Sequence, residues 1–251
     1  MATKNKNTLK NYRPMKFVDN MESNKHILLL YDDQKYASWI IGRYFHNGLA
    51  KGESCIIYTA DRPEIIEKQL SAGGIDVNLF KQKNQLRIYE VERSNDNKHD
   101  MLHTLTQIRE ESKESMKPPY RFVGGTITDV ETKDGMRFSI LLEENGHQHF
   151  DEFNHSQICY YDISKIEPTR KYEWITLLLR NHHYVIYASE PNKAVAFETA
   201  LIEQDDNTKN DKVEQLSQIK SNIEDAYAEG KINELHHTLL KERLTNYEKV
   251  K

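Results

Sequence analysis

An acid-rich set of segment ends is the first chemistry this sequence offers. Asp32 and Asp33 close the apolar run HILLLYDD, Asp61 with Arg62 behind it closes SCIIYTAD, Glu90 and Glu92 lie in QLRIYEVE, and Asp162 closes ICYYD. If these runs are parallel strands, their carboxyl ends converge on one rim, and ligands of open α/β sheets sit outside that rim. Tyr31, Tyr58, Tyr89 and Tyr161 fall near the same edge and would supply aromatic walls, although side-chain alternation must send some of them into the core. Gly124-Gly125 ends another such run, where a ligand could approach the backbone closely. The expected site is therefore a polar rim that binds a small ligand or a partner protein.

Other chemistries lose their support at the same positions. A phosphate cradle after the first strand needs glycines so that backbone N–H groups can reach phosphate oxygens. The turn here reads Tyr31-Asp32-Asp33-Gln34-Lys35, with no glycine and with two carboxylates that repel phosphate. Neither GxxxxGK[ST] nor GxGxxG occurs among the 10 glycines, which argues against P-loop hydrolysis and Rossmann dinucleotide binding. No GxSxG elbow is present, and Cys55 and Cys159 lie inside apolar runs where a thiol is buried and inert. Histidines number 11. The group His147, His149 and His155 suggests a metal, yet positions two apart on a helix face different ways, and the doublets His182-His183 and His236-His237 have the same weakness. By position alone, His26 reads as hydrogen-bonded structure rather than a base. No catalytic residue, cofactor or metal is expected.

The elements that must position these residues follow from the periodicity. Strand-like runs open at His26, Ser54, Gln85, Tyr120, Ile158 and His183, and stretches with helical spacing separate them. That alternation predicts an α/β domain with a mostly parallel sheet flanked by helices on both sides. The helix over 136–153 is expected to break near Gly146, and Pro118-Pro119 stops the helix over 98–115. Residues 1–24 read as a flexible basic arm, 25–202 as the α/β domain, and 203–251 as a polar linker followed by a helical hairpin joined at Glu229-Gly230-Lys231. That hairpin would either pack on its own domain or make a homodimer through 205–251. The chain has 251 residues, 37% hydrophobic and 29% charged, with a mean hydropathy of -0.79 and a net charge of -4. No apolar run spans a membrane and the start has no apolar signal region, so a cytoplasmic protein is expected. The slight negative charge gives no general attraction for nucleic acid.

The ordered set HILLLYDD, GLAKGESCIIYTAD, LSAGGIDV, ICYYD and the His182 segment before HYVIYAS resembles the MEDS sensory domain. That resemblance implies a RecA/KaiC-like core without a phosphate loop and a role in sensing small ligands, hydrocarbon-type compounds among those proposed, without established catalysis. It covers about residues 24–200 and rests on the order of the set, not on one strong motif. His26 and Tyr31 match the family's first-strand signature; Gly48, Leu49 and Glu53 match its helix-to-strand turn. Cys159, Tyr161 and Asp162 match its C-x-Y-D strand, and His182 matches the histidine of a His-Pro pair, with His183 in the proline's place. The expectation is a non-catalytic, regulatory sensory module. Two alternatives remain open: a degenerate KaiC-like nucleotide-binding regulator of the ATPase type, and a transcriptional regulator that holds nucleic acid with the basic arm.

Overall fold

All six residues of strand β1 (His26–Tyr31) are buried, which is possible only for a strand covered on both faces near the middle of a sheet. The computed structural model describes residues 13–21, 24–93, 98–189 and 194–199, and near the C-terminus 224–225, 227–230, 237 and 241. Around β1 lie β2 (Ser54–Thr59), β3 (Leu86–Glu90), β4 (Tyr120–Gly124), β5 (His155–Asp162), β6 (Tyr184–Ala188) and β7 (Val195–Glu198). They form one sheet in the order β3-β2-β4-β5-β1-β6-β7. Every pairing is parallel except that of β6 with β7. The expected α/β fold with a mostly parallel sheet is what the chain adopts. The antiparallel edge strand β7 was not foreseen, because four residues carry too short a pattern to stand out.

Two layers of helices cover the sheet, sorted by the twofold alternation of its strands. On one face, Ile27 and Leu29 of β1 pack with α1 (Arg13–Asp19), α2 (Gln34–Ala50), α3 (Pro63–Ala72) and α4 (Val77–Gln82), through residues such as Val18, Ile40, Ile66 and Val77. On the other, Leu28 and Leu30 meet α6 (Lys133–Gln148) and α7 (Lys171–Arg180), while Ile56 and Phe122 meet α5 (Lys98–Ser115). Side chains close the open N–H groups of several helix starts. Asp33 accepts from Lys35 N at 2.8 Å, Asp76 from Leu79 N at 3.0 Å, and Thr132 Oγ1 from Gly135 N at 3.1 Å.

Two expectations need correction here. Residues 13–19 are not part of a loose arm: they form α1, which buries Met15 and Val18 and is tied to α2 by an Arg43–Asp19 ion pair at 2.6 Å. An amphipathic turn of seven residues is too short to stand out among the basic residues around it. Helix α6 also runs unbroken through Gly146 to Gln148, since the packing of its apolar face outweighs the roughly 1 kcal/mol propensity cost of one glycine. Most of the proposed linker and hairpin lies outside the described residues. Of those described, Glu224 pairs with His237 at 2.9 Å and Lys241 at 2.7 Å, and Gly230 has a φ of 64°, which suits the turn expected there.

The face of the sheet opposite α5–α7 holds a buried ion pair. Arg121 of β4 donates to the Glu53 carboxylate and, at 2.9 Å, to Tyr44 O. A Cβ on Gly48 would lie 2.4 Å from Arg121 Cδ, so this glycine leaves room for the guanidinium stem. The turn Gly48–Glu53 is thus built around an arginine from another strand. A second polar anchor is Glu167, ahead of α7. Its carboxylate accepts from Thr169 N and Oγ1, Arg170 N and Trp174 Nε1. The hydrogen bonds from Thr169 foremost, joined by those from Trp174 and the backbone, lower its pKa to about 2.

That depression predicts a pH signature. A carboxylate with a lowered folded-state pKa stabilises above its ordinary value, and the contribution is lost as pH falls through the lowered one. Glu167→Gln replaces an acceptor with a donor facing two N–H groups and is expected to lower the thermal midpoint at pH 7. The gap between variant and parent should narrow as pH falls from about 4.5 to about 2. A gap that is unchanged over this window in thermal melts would show that the anchor does not act through its charge.

Candidate functional site

The candidate site is assembled by the register of three central strands. β1 pairs with β5 so that His26 lies opposite Gln157 and Leu28 opposite Cys159; on its other side, Ile27 lies opposite Tyr184. His26, Gln157, Cys159 and Tyr161 therefore all face α5–α7. The chain entering β6 is held to β1 by two bonds: His183 N donates to His26 O at 2.8 Å, and His26 N donates to His183 Nδ1 at 3.1 Å. The first is a bond that a proline at 183 could not make. This clamp sets the His182 ring against the His26 ring, with centroids 4.0 Å apart.

Helix α6 lowers Glu143 onto these groups. Glu143 is 8% exposed, and His26, Cys159 and His182 are exposed by 0%, 3% and 3%. One carboxylate oxygen accepts from Tyr161 Oη at 2.6 Å. The other lies 3.4 Å from His182 Nε2 and 3.7 Å from His26 Nε2, and His26 Nε2 is 3.4 Å from Cys159 Sγ. Ligand-type atoms of the four residues all fall within 4.8 Å of one another. Supporting contacts hold each one in place. His182 Nδ1 meets Leu178 O at 2.7 Å, and because a carbonyl only accepts, that nitrogen carries the proton. Gln157 Nε2 donates to Cys159 Sγ at 2.9 Å and also contacts Tyr58 Oη at 3.0 Å.

Burial shapes the electrostatics of this group. It pushes the His26 pKa well below the ordinary value, reinforced by the surrounding imidazoles, so the ring is neutral. It raises the Cys159 thiol and the Tyr161 phenol, each further raised by the Glu143 charge. Burial also pushes Glu143 upward, but the facing His182 and the hydroxyl of Tyr161 outweigh it, and the carboxyl stays below its ordinary range.

Above the cluster, an open cleft separates α5 and α6 from the sheet. It encloses about 590 Å3, its solvent-filled mouth included. Leu102, Leu105 and Leu142 line the helical walls, Arg109 stands on α5, and Tyr58, Gln157, Cys159 and Glu143 lie at the sheet side and floor. Apolar walls with a few convergent polar groups are the usual make-up of a small-molecule site. Gly124 makes the geometry possible: a Cβ there would lie 2.4 Å from Tyr58 Oη, so only glycine lets the ring cross β4 to reach Gln157. A Cβ on Gly125 would lie 2.8 Å from Tyr160 Oη. The glycine doublet thus serves ring packing on both faces of the sheet.

A family model described as MEDS, the methanogen/methylotroph, DcmR sensory domain, matches residues 25–182, more than half of the chain. The chain belongs to the MEDS family. A search of curated proteins found no match. Among solved structures, the chain is similar to the KaiC-like protein PH0186 from the hyperthermophilic archaeon Pyrococcus horikoshii OT3. The two share 11% identity at a TM-score of 0.54, over 71% of this chain and 80% of that one. At that identity the likeness shows the fold alone, a RecA/KaiC-like core.

In this MEDS chain the rim and the cluster are separate places. Of the residues expected at the rim, Gly124, Gly125 and Tyr161 line the cleft. His26 joins the cluster beneath it, but from the opposite end of β1 to Tyr31. Five residues at about 3.3 Å each put these two roughly 16 Å apart, and their odd separation puts them on opposite faces. Tyr31 instead packs near Tyr160, with centroids 6.3 Å apart. The acids are occupied elsewhere: Asp33 caps α2, Asp32 accepts from Tyr187 Oη, and Asp162 accepts from Ser164 N at 2.9 Å. Asp61, Arg62 and Glu90 are exposed and not part of the cleft. The Asp33 cap also meets an N–H of the helix end where a nucleotide-binding relative would hold phosphate, in keeping with the missing glycine loop.

Sequence reasoning missed Glu143 and Gln157, and no local pattern showed that His26, Glu143, Cys159 and His182 would meet. His147, His149 and His155 do not share a centre: His149 pairs with Glu152 at 2.8 Å and His155 Nδ1 meets Phe153 O at 2.7 Å. A signal for Glu143 did exist, since it continues the buried stripe Met136, Ile140 at helical spacing while Glu144 faces solvent. An acid on an apolar stripe marks a buried charge. The close approach at Gly124 generates a test. Gly124→Ala is expected to cost about 1–3 kcal/mol through overpacking, and the cost should shrink when Tyr58→Leu removes the ring. A double-mutant cycle by urea denaturation reads this coupling; additive effects would exclude the contact.

Proposed function

We propose that this MEDS domain is a non-catalytic sensory module that binds a small ligand in the cleft between α5, α6 and the sheet. The observation that carries the reading is the cleft's construction: leucine side chains from two helices face a floor of buried polar groups, Gln157, Cys159 and Glu143. Such a site suits a compact molecule with an apolar body and one polar end, the polar end directed at the floor. Arg109 at the wall favours a ligand with an acceptor or negative charge. Membership of a sensory family supports a regulatory role. Signal output would follow from α5 and α6, because a ligand between them and the sheet can shift both helices. A nucleotide-binding role finds no support at the turn after β1, where Asp33 takes an N–H of the α2 end.

Among the described residues, no helix is long and apolar enough to cross a membrane. A thermal-shift screen of small alcohols, halogenated hydrocarbons, short carboxylates and nucleotides tests the reading. A true ligand present at 100 times its dissociation constant adds about 2.7 kcal/mol of stability. Leu105→Trp, which fills the cleft from α5, is expected to abolish that shift while the chain stays folded. Stabilisation that survives Leu105→Trp would move the binding site elsewhere, and ATP turnover would overturn the non-catalytic assignment.

A further inference from the structure

We propose that His26, Glu143, Cys159 and His182 form a binding site for a divalent transition-metal ion of the zinc type, set in the floor of the cleft. The inference goes beyond the sensory reading and stands whether or not the cleft takes a small ligand.

The spacing of the four side chains carries it. Zinc bonds of about 2.0–2.3 Å at tetrahedral angles place neighbouring ligand atoms about 3.3–3.6 Å apart. The separations 3.4 Å (His26 Nε2 to Cys159 Sγ), 3.4 Å (His182 Nε2 to Glu143 Oε2) and 3.7 Å (His26 Nε2 to Glu143 Oε2) lie at or next to that range, and all pairs are within 4.8 Å. The two nitrogen-to-carboxylate distances are also longer than the 2.7–3.2 Å of an ordinary N–H···O bond. His182 Nε2 is fully buried without a hydrogen-bond partner among the described residues. Its Nδ1 is committed to Leu178 O, so Nε2 is the ring atom left turned toward Glu143. A buried ring nitrogen beyond hydrogen-bond distance of a buried carboxylate oxygen is an arrangement that a cation bound to both would satisfy.

The donor set and charge select the class of ion. Two imidazoles, a thiolate and a carboxylate suit zinc, or cobalt and iron in its place, whereas calcium and magnesium require six or more oxygens. One thiolate and one carboxylate balance a dipositive ion, leaving no net charge to bury. When the metal binds, the Cys159 S–H bond breaks, its proton leaves to solvent and a sulfur–metal bond forms; Glu143 binds through a carboxylate lone pair, and His26 and His182 bind through the Nε2 lone pair, with any proton on that nitrogen leaving to solvent as well. Supporting contacts match those expected around a metal: His182 donates its second nitrogen to a backbone carbonyl, Tyr161 holds the far oxygen of Glu143, and Gln157 donates to the sulfur.

The test uses the full chain, stripped with a chelator and titrated with cobalt(II). Saturation at one ion per chain is expected, with a thiolate-to-cobalt charge-transfer band and intense visible bands of a tetrahedral ion, both displaced by zinc. Cys159→Ser should abolish the charge-transfer band, Gln157→Ala should weaken binding by about 10–100-fold, and Cys55→Ser, whose thiol lies on the other face of the sheet, should keep every band. A folded chain with no saturable cobalt spectrum, or a charge-transfer band that persists in Cys159→Ser, would overturn the proposal and favour a proton shared between His182 and Glu143. Should Cys159→Ser not fold, zinc-edge X-ray absorption of the unaltered chain decides: one sulfur at about 2.3 Å with nitrogen and oxygen neighbours supports the site, and a shell without sulfur removes it. Metal binding without any small-ligand shift would retain this site and remove the sensory reading; the opposite result would do the reverse.

Discussion

A parallel strand at the centre of a doubly covered sheet leaves no water for its side chains, so any polar group placed there must find partners inside the protein. β1 imposes that constraint on this molecule, and most of its polar architecture answers to it. His26 opens β1 at 0% exposure, and its backbone is held on one side by the β5 register and on the other by His183. Glu143 reaches the same region from α6 and is accommodated by Tyr161 together with two facing imidazoles. Glu143, Tyr161, His26 and His182 thus form a unit that α6, β1, β5 and the turn before β6 must all supply.

The same logic governs the opposite face. Arg121 is balanced by Glu53 and by Tyr44 O, and room for it exists because Gly48 has no side chain. Two glycine positions that suggest ligand or turn roles in sequence, Gly48 and Gly124, instead allow large polar side chains to cross from a neighbouring strand. Sequence identity at such positions says that something passes close by; the tertiary structure says what it is.

The RecA/KaiC-like core shared with the Pyrococcus horikoshii protein extends only to the fold. In such sheets the rim beyond the strand ends is the usual ligand site, and here two of the rim acids, Asp33 and Asp162, serve as a cap and a turn anchor while Asp32 accepts from Tyr187 Oη. The groups best suited to chemistry lie on one face of the sheet, under α5 and α6, where a cleft leads to a buried carboxylate and thiol. A scaffold thus retains its layers while its chemically distinctive side chains sit away from the rim.

Local pattern alone determined much of this protein. Apolar runs with a period of two or none marked six of the strands, helical stripes marked the helices between them, and the glycine-free turn after β1 excluded a phosphate loop. His26, Cys159, Tyr161 and His182 were also legible one by one, through the family resemblance. Their meeting was not. His26 and Cys159 are 133 positions apart, and only the strand order β5-β1-β6, with its register, brings them to one face beside Glu143. A sequence displays the period of each element because backbone geometry repeats locally; which elements become neighbours depends on how the whole set buries its apolar faces together, and that was decided only in the tertiary structure.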